Sequence, residues 1–323
     1  MKPSARTLAT LVTVVALAVT VGVAKARPAL DPAQYTRHTL SHGGVERAYY
    51  VHVPSGHPAS HPLPVLILLH GGGGSAAQAL TDYPLLPISD REGFLLVAPN
   101  GSGPLPAEKL LTFNSGFGFG YAHNHHVDDT GFIRALITEL ARTYHIDRRR
   151  VYLTGMSNGA VLCHYAAGAN ADLIAGIAPV VGTAGGSDSD RTPLTWPARP
   201  TRALDVILFN GALDQHIPLE GGWQKKHADR TPHFIASAQQ TARFWVEANG
   251  CPPTPKVEEM PRQQATRYTW SGGRDGTRVV LYVLHNQGHA WPGGRGARIV
   301  VDTPSPLLDA GQVMWDFFKA RTP

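Results

Sequence analysis

The sequence predicts an α/β fold with a mostly parallel central sheet and helices on both faces. Three observations predict it. Short continuous apolar runs recur along the chain, as in strands buried on both sides. Segments of helical periodicity separate these runs. Residues suited to chemistry follow directly after several of them, where open α/β sheets gather their ligands.

The first two segments, Tyr35 to Leu40 and Arg47 to Val53, alternate in polarity, and His42-Gly43-Gly44 between them predicts an N-terminal antiparallel hairpin. Val65 to Leu69 is the first continuous run and ends in His70-Gly71-Gly72-Gly73-Gly74. Phe94 to Ala98, Val151 to Leu153, Ile174 to Val181, Val206 to Phe209 and Val279 to Leu284 repeat the pattern. The clearest helix runs from Asp128 to Tyr144: Phe132, Leu136, Ile137, Leu140 and Tyr144 share a face, and Asp128 and Asp129 suit its positive N-terminus. A last helix over Leu307 to Lys319 packs Val313, Phe317 and Phe318. The Pro- and Gly-rich stretches Ser55 to Pro64, Gly101 to Pro106 and Gly185 to Pro200 read as loops within one domain.

Lys2 and Arg6 precede an apolar stretch from Leu8 to Val23, and Ala24-Lys25-Ala26 fits a small-x-small cleavage site, so residues 1–26 read as a secretory signal peptide. Residues 27–323 then form a single catalytic domain, secreted or periplasmic, with no stable membrane anchor after cleavage. Of 29 basic residues, Lys2, Arg6 and Lys25 lie in the leader, so the +5 of the whole chain falls to +2. Such a balance gives no footprint for nucleic acid. The one basic run, Arg148-Arg149-Arg150, reads as a solvated turn before a strand. Cys163 reads as a small buried apolar residue, which disfavours a bridge to Cys251.

Gly155-Met156-Ser157-Asn158-Gly159 follows the run at Val151 and leads into a helix, which places Ser157 on a strand-to-helix turn. In a G-x-S-x-G elbow the serine is strained, and its neighbours must be small because strand and helix nearly touch. Asp214 follows the Val206 run and His289 the Val279 run, giving the order Ser, Asp, His. Asp205 lies at the wrong strand end, Asp188 and Asp190 have no strand before them, and His285 is still on its strand. The N–H groups of Asn158 and Gly72 are expected to form an oxyanion hole, with Gly71 and Gly73 as alternatives to Gly72. Phosphate binding would want Lys-Ser or Lys-Thr after the glycines, where Ser75-Ala76-Ala77 stands. His123, His125 and His126 with Asp128 and Asp129 match no zinc spacing, so neither metal nor cofactor is expected.

Together these segments resemble the secreted polyhydroxybutyrate depolymerase and feruloyl/acetylxylan esterase family of α/β-hydrolases. The resemblance rests on His70 to Ser75, Ala98-Pro99-Asn100-Gly101, Val127 to Phe132, Arg150-Val151-Tyr152 with the elbow, Asp214 with Ile217-Pro218 and Gly221-Gly222, and Gly288-His289-Ala290-Trp291-Pro292-Gly293. It implies an α/β-hydrolase fold and a triad of Ser157, Asp214 and His289. Family cysteines near Phe113 to Gly116 and around Trp270 are missing, and Asn210 stands where relatives usually have His. Family depolymerases of solid polymer commonly add a linker and a binding domain that this chain lacks, so a soluble oligomer or small ester is expected as substrate. Trp291 and Trp223 are candidates to line its pocket, with simple packing as the equal alternative. The rival expectations are a serine peptidase of the same fold and a non-catalytic carbohydrate- or surface-binding protein.

Overall fold

The computed structural model describes residues 30–321 apart from 32, 59, 106–107, 119, 188, 225–231, 261–263 and 296–300, so the expected signal peptide lies outside the described residues. Strands β1 (Thr36–His42) and β2 (Val45–His52) form the expected hairpin. Gly43 and Gly44 at its tip both take positive φ, which a tight two-residue hairpin turn of this hand requires.

The chain then runs through β3 (Leu63–Leu69), α1 (Ala76–Asp82), α2 (Leu86–Glu92), β4 (Leu95–Pro99), α3 (Tyr121–Asn124), α4 (Asp129–Thr143), β5 (Ile146–Met156), α5 (Asn158–Ala169), β6 (Gly176–Val180) and β7 (Gly186–Ser187). It continues with β8 (Asp205–Gly211), β9 (Gly222–Trp223), β10 (Phe234–Ile235), α6 (Ala238–Asn249), β11 (Lys256–Glu259), β12 (Ala265–Trp270), β13 (Val279–Leu284) and α7 (Ala310–Lys319). Ten strands form one sheet in the order β1-β2-β4-β3-β5-β6-β8-β13-β12-β11. From β4 to β13 the neighbours are parallel, and an antiparallel pair closes each side.

Side-chain alternation divides the interior into two layers. Val65, Ile67 and Leu69 of β3 pack with Val151 and Leu153, Val206 and Leu208, and Val279 and Leu281 against α4, α5 and α6. Leu66 and Leu68 point the other way, with Tyr152, Ile207, Phe209 and Tyr282, against α1, α2 and α7. Each such side chain contributes about 1.5–3 kcal/mol by leaving water. Helix α5 lies largely inside: Leu162, Cys163, His164, Ala166 and Ala167 are all 0% exposed.

Two sequence expectations need correction. Arg148-Arg149-Arg150 lie within β5 rather than in a turn before it, because the strand starts at Ile146 and its first turn of side chains stays solvated. The antiparallel pair β11 and β12 had no counterpart among the expected strands. Cys163 and Cys251 are both free and buried.

His164 carries a consequence for pH. Its Nδ1 accepts the indole N–H of Trp245 at 2.9 Å, and burial pushes its pKa down to about 3. An unfolded imidazole takes its proton near pH 6.5. The stability held by the neutral ring is therefore complete above about 6.5 and is lost as pH falls, by roughly 3 kcal/mol at pH 4. Urea unfolding between pH 7 and 4 should show a shallower acid loss in His164→Gln, which keeps an acceptor for Trp245; an unchanged slope contradicts this role.

Candidate functional site

Ser157 stands between β5 and α5 with φ 55° and ψ −120°, a conformation that L side chains rarely adopt. Neighbouring backbone explains the two flanking glycines. A Cβ at 155 would sit 2.8 Å from Leu69 O, and one at 159 would sit 2.5 Å from the carbonyl oxygens of both Leu69 and His70. Strand β3 thus presses on the elbow where only hydrogen fits. The Ser157 N–H donates to Val180 O at 3.1 Å, and Ser157 O accepts the N–H of Val161 at 2.9 Å, which starts α5.

Beyond β8, Asp214 is 5% exposed and uses its two oxygens differently. Oδ1 accepts the N–H groups of His216 and Ile217, each at 2.8 Å, while Oδ2 lies 2.8 Å from His289 Nδ1. A turn therefore aims the carboxylate, and the carboxylate aims the imidazole with Nε2 left over. The His289 loop is held just as firmly. Leu213 N–H donates to Gln287 O at 2.9 Å, and Gln287 Nε2 donates to Ala290 O at 2.9 Å. Asp302 Oδ2 accepts the His289 N–H at 2.7 Å while its own N–H returns to His289 O at 3.0 Å. Rings of His216 and His289 lie 4.8 Å apart.

The glycine run after β3 stands beside the serine: a Cβ at Gly71 would be 3.7 Å from Ser157 Cβ. Gly73 N–H already donates to Leu111 O and Gly74 N–H to Gly71 O. Gly73 thereby leaves the set of alternative donors, and Gly72 and Gly71 stay in it. Asn158 heads α5, whose first N–H groups have no partner within the helix. Its side chain is clamped to the backbone of Phe113, accepting the Phe113 N–H on Oδ1 at 2.8 Å and donating from Nδ2 to Phe113 O at 2.9 Å.

His70 fixes the root of the glycine run. Its Nδ1 lies 2.9 Å from Gly71 O, and its Nε2 accepts the Gly101 N–H at 2.9 Å. Only the neutral ring with its proton on Nδ1 satisfies both contacts, and burial pushes its pKa down to about 4.

Other sequence candidates lie elsewhere. Trp291 is 1% exposed and stacks on Tyr83 at 4.4 Å, and the Tyr83 hydroxyl reaches Met156 Sδ at 3.2 Å, so this indole is packing behind the elbow. Trp223 is 41% exposed on β9, edge-on to Phe234. His285 lies 2.9 Å from the Thr266 hydroxyl on β12. Asp128 caps α4 through the Gly131 N–H, and Asp129 pairs with Arg47 in the interior. Among the described residues no group of three His, Cys, Asp or Glu is placed to hold a metal ion. Asn210, buried in β8, donates to Gly182 O at 3.2 Å. Sequence reasoning missed the Asn158 clamp, Asp302, and an apolar cluster of Phe117, Val161, Ile217 and Ile235. That cluster joins the first turn of α5 to the Asp214 turn.

An elbow serine after one strand and an Asp–His pair on the loops after two others, in that chain order, is the ground plan of one fold. A solved acetyl xylan esterase from Aspergillus awamori superimposes with a TM-score of 0.59 at 14% identity, covering 88% of this chain and 100% of that one. The chain has the α/β-hydrolase fold. No protein-family model matches it. Its curated relatives carry the names of ester hydrolases. It is 27% identical over 286 residues to a Nocardia uniformis subsp. tsuyamanensis protein named as an esterase, NocK, covering 83% of this chain and 77% of that protein. To feruloyl esterase B of Piromyces equi it is 26% identical over 255 residues, 77% of this chain but 44% of the relative.

Replacing Asn158 by Ala leaves both polar groups of Phe113 without partners and should lower stability by about 2 kcal/mol or more. Asp at 158 should be poor too, since its carboxylate faces Phe113 O. Urea unfolding and kcat on a short ester check both variants; an Asp variant as stable and active as wild type contradicts the clamp.

Proposed function

We propose that this hydrolase is an exported serine esterase that cleaves carboxylic esters through an acyl-enzyme on Ser157. The carrying observation is the Asp214–His289 contact of 2.8 Å on loops that share the carboxyl end of the sheet with a strained serine. The names of the relatives support ester over amide substrates, and the basic, apolar leader read in the sequence supports export.

In this mechanism Ser157 Oγ attacks the ester carbonyl as His289 Nε2 takes its proton, and Asp214 stabilises the imidazolium and its orientation. The N–H groups of Asn158 and Gly72 stabilise the oxyanion, each donor contributing about 3 kcal/mol to the transition state. Collapse returns the proton to the departing alcohol. Water, deprotonated by His289, then attacks the acyl carbonyl and frees the acid and Ser157. The apolar cluster of Phe117, Val161, Ile217 and Ile235 is assigned to the acyl side of the site, in place of Trp291. Feruloyl, acetyl and hydroxyalkanoate esters are the substrate classes to compare.

Ser157→Ala and Asp214→Asn should each lower kcat for p-nitrophenyl butyrate by about four orders of magnitude with KM little changed. A panel of methyl ferulate, acetylated xylan, hydroxybutyrate oligomers and a peptide amide then ranks the substrates. Wild-type turnover by Ser157→Ala, or amide cleavage outrunning every ester, contradicts the proposal.

A further inference from the structure

A second cavity, of about 430 Å³, opens on the β2 and β4 side of the sheet. The segment at Leu111 separates it from the glycine run: Leu111 lines the cavity and also exchanges backbone hydrogen bonds with Gly73 and Gly74. Nothing in the triad mechanism uses this space, yet polar side chains are buried along part of its wall. Arg47 is 3% exposed, Asn100 2% and Ser102 5%.

The walls carry unmet hydrogen-bonding capacity. Arg47 spends Nη1 on Asp129, and its guanidinium stacks at 3.5 Å on Phe132. Its Nε and Nη2, two parallel donors on one edge, have no partner among the described residues, and neither has the Ser102 hydroxyl. Asn100 commits Oδ1 to the Ala76 N–H, and its amide end interacts with the Glu108 carboxylate. Buried polar atoms are nearly always bonded, to protein, water or ligand. Glu108, beside Asn100, accepts from Arg37 and Tyr50, and Tyr121 supplies a ring stacked at 3.9 Å on His125.

The charge balance selects the ligand. Arg37 and Arg47 are matched by Glu108 and Asp129, and Glu46 lines the cavity as well, so an entering anion would find no net positive charge and would lose hydration at the buried end without compensation. A neutral ligand rich in hydroxyl groups escapes that cost. Its oxygens accept from the Arg47 edge and Ser102, its hydroxyls donate to Glu108, and the Tyr121 ring offers an aromatic face. The volume falls within the range of small-molecule sites.

We propose that this cavity is a binding site for a neutral sugar or similar polyol, distinct from the catalytic centre. The cavity and that centre are neighbours along the chain. Ser102 pairs with Thr112 by two backbone hydrogen bonds of 2.9 Å, and the next residue, Phe113, is the one clamped by Asn158. The site does not depend on the esterase reading, because its lining includes none of the triad.

Saturation-transfer NMR on the intact protein tests it, with D-glucose, D-xylose and cellobiose as probes and acetate and inorganic phosphate as the charged comparison. At least one neutral sugar should bind saturably at millimolar concentration, with both anions failing to displace it. Ser102→Val, whose branched side chain suits the bridge to Thr112, should weaken that binding about tenfold or more while p-nitrophenyl acetate hydrolysis stays at the wild-type level. Glu108→Gln, which keeps the volume, should weaken it as well, and the thermal midpoint of each variant reads whether it is folded. Acylation of Ser157 by a fluorophosphonate should leave sugar binding intact. No saturable binding of any sugar, preference for acetate or phosphate, or loss of sugar binding on acylating Ser157 would each overturn the proposal.

Discussion

The contact between the end of β3 and the elbow is the constraint from which the rest of the site follows. Carbonyl oxygens of Leu69 and His70 lie where any Cβ at 155 or 159 would have to go. Only because both positions are glycine can α5 start directly above β3 and hold Ser157 at φ 55°. A non-glycine residue so placed costs of order 1–3 kcal/mol. The buried face of α5, with Leu162, Cys163 and Ala166 packed in the core, offsets it. The strain belongs to the scaffold and does not have to be re-created at each turnover.

Around this fixed serine, backbone hydrogen bonds to side chains do most of the positioning. His70 ties the glycine run to Gly101, Asn158 ties the helix start to Phe113, Asp214 is held by the amides of its own turn, and Asp302 holds the His289 backbone. The first two ties join segments that follow different strands, and the last two fix a segment upon itself. Loops at the rim of a parallel sheet have no ladder of their own, and such bonds stand in for it. The ring stack of Trp291 on Tyr83, with the Tyr83 hydroxyl donating to Met156 Sδ, adds a tie between the His289 loop and the end of β5.

The parallel strands were legible because strands covered on both faces must be apolar throughout, and Val65 to Leu69 or Val279 to Leu284 read as nothing else. At the sheet margin that signal disappears. Lys256–Glu259 and Ala265–Trp270 are short, mostly polar and partly solvated, so β11 and β12 left no run to find. The first half of β5, with Arg148 to Arg150, was hidden for the same reason. Asp214 and His289 could be ranked above Asp205 and His285 because position relative to a strand end is a sequence property. Whether Trp291 faces substrate or core is not, since an indole fits both. The Asn158 clamp and Asp302 escaped notice because their partners lie in irregular chain, at sequence separations of 45 and 13 residues.

The proposed ester chemistry rests on one atom, Ser157 Oγ. The most direct measurement is therefore rapid acid quench during turnover of p-nitrophenyl butyrate, followed by intact mass and peptide mapping. The account predicts one butyryl adduct per chain, on the peptide containing Ser157, at a level that rises and decays with the p-nitrophenol burst. Turnover with no adduct, or with the acyl group on any other residue, would contradict it.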